Sequence, residues 1–126
     1  MDKKQIGHVV VLGSALVLNI AASNYALAAA TSACTDGSGV TIASSASTFV
    51  KTDFVTKCSR NTTVVYDQNA TDFAVKSASV KGMHTFGGST MGGTVAACEN
   101  TSVASPAGNL GNPNLSAPSG TTPAGC

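Results

Sequence analysis

The sequence predicts an all-β fold: a small disulfide-stapled sandwich or open barrel of five or six short strands, followed by an irregular tail. Three observations carry that expectation. Between Thr31 and Glu99 there is no Leu, while eight Val, one Ile and four Phe are interspersed with Thr and Ser, the composition of a pleated, half-buried surface. Helix formers are scarce over the same stretch, and glycines recur toward its end. The four cysteines, Cys34, Cys58, Cys98 and Cys126, are even in number and all follow an apolar leader, which is the pattern of an exported chain stapled by two disulfides.

The leader comes first. Lys3 and Lys4 precede an apolar run from Val9 to Leu18, and Ala26-Leu27-Ala28 supplies a small-x-small cleavage pattern, so residues 1–28 read as a signal peptide cut after Ala28. The run falls short of the ~20 residues of a spanning helix, so no stable membrane insertion is expected after cleavage. Thr31-Ser32-Ala33 before Cys34 lacks the aliphatic residue of a lipid-anchor signal. Residues 29–100 then form the β domain and residues 101–126 the tail.

Within the domain, Asp36-Gly37 marks a turn before a strand at 39–43, and a second extended piece runs over 48–55. Residues 62–67 and 72–77 form the clearest pair, because the polar stretch Gln68-Asn69-Ala70-Thr71 between them has hairpin length. Alternation there places Phe73 and Val75 inward, opposite Ala74 and Lys76. Further strands are expected at 79–86 and 93–98, with Phe49, Phe54, Phe73 and Phe86 in the core. The tail holds all four prolines, no charge and little apolar bulk, and is expected to behave as a linker without a fold of its own.

Residues 29–126 contain only nine Val, one Ile, two Leu and four Phe, a thin core that calls for covalent support. Pairing Cys34 with Cys58 and Cys98 with Cys126 closes the shortest loops, and the chain-entropy relation gives roughly 3.5 kcal/mol for each. The other two pairings remain open at this level. Zinc is disfavoured, since no C-x-x-C pair occurs and His84 is the one His beyond the leader. Cys126 either ties the tail to the body or crosslinks copies of the chain.

Beyond the leader Lys51, Lys57, Arg60, Lys76 and Lys81 balance Asp36, Asp53, Asp67, Asp72 and Glu99. That even, scattered charge argues against nucleic acid or an anionic membrane as partner. The stretch Phe86-Gly87-Gly88-Ser89-Thr90-Met91-Gly92-Gly93-Thr94 is unusual, but Thr94 stands where a phosphate loop needs Lys, and Met91 where a nucleophile elbow needs a small residue. Its glycines suit close backbone packing. Met83, His84 and Met91 suggest a soft metal, yet on a strand at 79–86 Met83 and His84 point to opposite faces. The acidic residues are spread out, and nothing singles out a nucleophile among the Ser and Thr.

No catalytic residue, metal or cofactor is therefore expected. The sequence reads as a non-enzymatic exported structural protein, secreted or at the cell surface: a filament, coat or matrix subunit that self-assembles with other copies, with Gly87, Gly88, Gly92 and Gly93 at subunit contacts. The alternative is a monomeric disulfide-stapled binding module, secreted or periplasmic, serving as an inhibitor or ligand carrier.

Overall fold

The computed structural model describes residues 30–108 and 110–126; the expected leader, 1–28, lies outside the described residues. Its strands are β1 (Thr31–Thr35), β2 (Ser38–Gly39), β3 (Thr41–Ile42), β4 (Phe54–Val55), β5 (Thr62–Gln68), β6 (Phe73–Ser79), β7 (Thr85–Ser89) and β8 (Ala96–Ala97), followed by a 3-10 turn at Pro106–Gly108. All pairings are antiparallel, in an open six-stranded sheet of order β2-β1-β5-β6-β7-β8 and a separate ribbon of β3 and β4. The fold is thus nearly all-β, and the sheet does not close into a barrel. Both of its edge strands are only two residues long, which limits edge-to-edge pairing.

The central hairpin follows from its sequence. β5 and β6 pair without interruption from Thr62 opposite Ser79 to Gln68 opposite Phe73. Asn69 closes the loop, its Oδ1 accepting from the backbone N–H of Thr71 at 2.8 Å and of Asp72 at 2.7 Å, the Asx turn that favours Asn there. At the β1–β2 turn Asp36 (φ 48°) and Gly37 (φ 82°) are both left-handed, the two-residue geometry that Asp-Gly adopts readily.

Elsewhere the strands differ from expectation for local reasons. β1 lies outside the strands that the sequence predicts. It carries a bulge between Ser32 and Cys34, which lets the consecutive residues Ala33 and Cys34 both be buried. The expected strand at 48–55 shrinks to Phe54–Val55, because Asp53 Oδ1 accepts both the N–H and the hydroxyl of Ser44 at 2.6 Å and closes an intervening loop. The expected strand at 79–86 is split: Gly82 N–H donates to Ser79 O at 2.9 Å, and the chain turns before restarting at Thr85. The expected strand at 93–98 contracts to Ala96–Ala97.

Register assigns the two faces of the sheet, since paired residues share a face. On the front, Tyr66, Val64, Phe73 and Val75 pack with Ala33, Ile42 and Val50. Tyr66 and Phe73 stack at 5.6 Å between ring centroids, with Phe49 at 6.3 Å from Phe73. Phe49, Phe54 and Phe86, expected in the core, are instead 41%, 46% and 46% exposed. The reason is coverage: the ribbon and its loop lie over β1, β5 and β6, leaving Phe86 on β7 beside them.

The back face carries Ala74, Lys76 and Ala78 of β6, with Ser89, Gly87 and Thr85 opposite them in turn on β7. Ala74 and Ala78 are the most deeply buried residues of β6. Their cover is the segment expected to be an unfolded linker. The turn at Pro106–Gly108 lies against β6, Pro106, Leu110 and Ala124 are buried, and Ala124 to Cys126 press on Gly87. The expectation weighed the segment's own apolar bulk, whereas small residues on the sheet let its backbone come close enough to bury what apolar surface it has.

Candidate functional site

The disulfides join Cys34 to Cys58 and Cys98 to Cys126, the pairing that closes the shortest loops. The first ties β1, next to the sheet edge, to the connection after β4. The second ties the residue after β8 to the covering segment. No free cysteine is present among the described residues.

Glycine geometry explains how the second disulfide is seated. Cys98 N–H donates to Thr85 O at 2.9 Å, which continues the β7–β8 pairing and aims Cys98 to the back face. A Cβ on Gly87 would lie 2.5 Å from Cys126 Sγ and 2.8 Å from Ala124 O, both below ordinary contact. Gly125 (φ 77°) is left-handed, and a Cβ there would meet the backbone N and O of Gly88 at 2.5 Å. Gly87 and Gly125 are therefore where two backbones cross, a use of glycine that no side chain can imitate.

The four glycines expected at subunit contacts thus separate into two pairs. Gly87 and Gly88 lie inside β7 and are buried, Gly87 beneath the 124–126 backbone and Gly88 with Val95 facing its Cα from the front. Gly92 (φ 101°) and Gly93 (φ 86°) form the exposed turn after β7. Beside that turn Gly93, Thr94 and Ala96 line a groove of about 260 Å³ with Pro118, Thr122 and Ala124 on its other wall. None of these six residues carries a charge.

A polar cluster stands at the other end of β7. Glu99 Oε2 accepts the Thr85 N–H at 2.8 Å, and Oε1 accepts the Thr85 hydroxyl, satisfying a buried threonine. Burial pushes the Glu99 carboxyl up, but the two Thr85 hydrogen bonds, its own backbone N–H and the nearby His84 together outweigh it, and the net shift is downward. His84 Nδ1 lies 4.0 Å from Glu99 Oε2, too far to hydrogen-bond, and is buried without a partner. His84 sits in the 80–84 turn and not on a strand, while Met83 is largely exposed. Among the described residues no group of three or more His, Cys, Asp or Glu is arranged to hold a metal.

The third feature is apolar. Phe86 and Val95 lie on the front of β7 and beside it, and Val95 is 73% exposed. Val95 lies over the buried Gly88, so the exposed apolar surface on this half of the front face is that of Phe86 and Val95.

Sequence reading missed Gly39, Glu99 and Gly125. Gly39 abuts the Thr56 carbonyl so closely that any Cβ would overlap it. Each owes its role to a residue distant along the chain, which no local pattern announces. No protein-family model, no curated protein and no solved structure matches this chain.

Proposed function

We propose that the chain is a non-enzymatic structural protein that works outside the cytoplasm as a subunit of an extracellular fibre, coat or matrix. The observation that carries this reading is the pair Phe86 and Val95, open to solvent on the front of the β7–β8 end beside the exposed Gly92-Gly93 turn. Balanced charges beyond the leader leave nothing to repel like copies. The proposed subunit contacts are Phe86, Val95, Gly92 and Gly93. Gly87 and Gly88 already pack within the chain.

Two disulfides support an oxidising compartment. Among the described residues no helix is long and apolar enough to cross a membrane. The polar cluster supports the non-enzymatic part of the reading, since both Glu99 oxygens serve a structural task in accepting hydrogen bonds from the buried Thr85.

Sedimentation of the purified protein over a range of concentrations tests the proposal. Assemblies that grow with concentration, and that shrink when Phe86 and Val95 become serine, are expected. A single species of about 10 kDa at every concentration refutes it, and favours a monomeric module that uses the groove between β8 and residues 118–124.

A further inference from the structure

We infer that the Cys98–Cys126 disulfide is a releasable latch: a dithiol opens it selectively, and the segment covering the back of the sheet then comes away while Cys34–Cys58 stays closed. The inference does not depend on whether copies of the chain assemble.

The two disulfides differ first in access. Of the first pair Cys34 is 1% exposed in bulged β1 and only Cys58 is partly exposed, whereas Cys98 and Cys126 are both partly exposed at the sheet margin. Thiol–disulfide exchange requires a thiolate to reach a sulfur atom, so the bond with two reachable sulfurs opens ahead of the bond with one.

They differ also in what else holds the parts they join. Around Cys34–Cys58, the Thr56 hydroxyl bonds to Ala33 O, Val40 N–H donates to Ala33 O at 3.2 Å, and Thr56 N–H donates to Val40 O at 3.0 Å. These bonds keep the parts together without the sulfur bridge. The covering segment is tied differently. It holds no charged residue, and its bridges to itself are isolated pairs at Asn114–Gly125 and Ser119–Thr122. Single hydrogen bonds join it to the body from Ala30 N–H to Asn112 Oδ1 at 2.8 Å and from Val103 N–H to Met83 O at 2.9 Å, and its buried anchors are Pro106, Leu110, Pro113 and Ala124. The fit at Gly87 and Gly88 depends on backbones in direct contact, which is lost at once when the Cys126 end lifts.

The chemistry balances with a dithiol as the named reductant. One of its thiolates attacks a sulfur of the bond, the S–S bond breaks, and the other cysteine leaves as a thiolate that takes up a proton. The second thiol of the reductant then displaces the remaining cysteine. The dithiol ends as a cyclic disulfide, two electrons having passed to Cys98 and Cys126. The opened form presents Ala74, Ala78 and Gly87 as an uncovered face.

The test uses the intact folded protein under native conditions. It is treated with dithiothreitol for increasing times, quenched with an alkylating agent and mapped by mass spectrometry, with amide hydrogen exchange followed in parallel. Labelling of Cys98 and Cys126 about tenfold faster than that of Cys34 and Cys58 is expected. The singly opened species should lose exchange protection over residues 110–126 and β7 while β5 keeps its own. Equal labelling rates, earlier labelling of Cys34, or unchanged protection over 110–126 in the opened species each overturn the inference. Loss of protection throughout β5 and β6 on opening the first bond overturns it as well.

Discussion

Replacing Gly87 by alanine adds one methyl group where the back of the sheet meets the covering segment. The new Cβ would sit 2.5 Å from Cys126 Sγ, 2.8 Å from Ala124 O and 2.9 Å from the Gly125 carbonyl carbon, about an ångström inside normal contact. Two of those neighbours are backbone atoms and the third is fixed by a disulfide, so none can rotate aside. Overpacking of this kind costs about 1–3 kcal/mol, and the constraint sits toward the upper end. Alanine also narrows the unfolded ensemble, which offsets about 0.5 kcal/mol. The net expectation for G87A is a loss of about 2 kcal/mol, or roughly 10 °C in Tm for a domain near 100 residues. Urea unfolding with both disulfides intact, followed by far-ultraviolet circular dichroism, measures it. Gly108, whose Cβ would meet nothing within 4 Å, is the control, and G108A should change stability by less than about 0.5 kcal/mol. If G87A also falls within that margin, the covering segment does not rest on β7 as described.

Other expectations follow from the same packing. G39A forces a Cβ into the Thr56 carbonyl, so it should destabilise by at least about 2 kcal/mol in the same urea assay. Replacing Cys34 and Cys58 together by alanine should cost about 3.5 kcal/mol from loop entropy, read as a lower urea midpoint. Ala74→Leu, at a site with no exposure and the covering segment against its strand, should cost about 1–3 kcal/mol by overpacking, checked by thermal melting. Glu99 has a folded-state pKa below its unfolded value. Its contribution is therefore complete above the ordinary glutamate pKa of about 4.3 and is lost as pH falls through the lower folded value. Thermal melts of wild type and Glu99→Gln across that range should converge at the acid end, and parallel curves would refute the assignment.

Some of this architecture is legible in the chain. The β5–β6 hairpin shows because Val64, Val65, Phe73 and Val75 flank a polar loop whose Asn69 makes its own turn, all within a dozen or so residues. Asp36-Gly37 announces its turn for the same local reason. β1 is silent because Thr-Ser-Ala-Cys-Thr has no large apolar residue. Its strand exists only because β5 offers it an edge thirty residues later. The covering segment misleads in the opposite way: its composition is that of a linker, and its order comes from Gly87, Ala74 and Ala78 on the sheet and from one sulfur bond. Glu99 is equally opaque, since its partner Thr85 lies fourteen residues away and nothing in the intervening Gly-rich stretch signals the contact.

The two disulfides join first cysteine to second and third to fourth. A chain threading into an oxidising space end first therefore meets each correct partner before any wrong one becomes available. The first ring can seal while the central hairpin is still to come, and the second needs nothing from the first. Sequential oxidation alone reaches the native connectivity, and a shuffling enzyme has no mispaired intermediate that it must resolve.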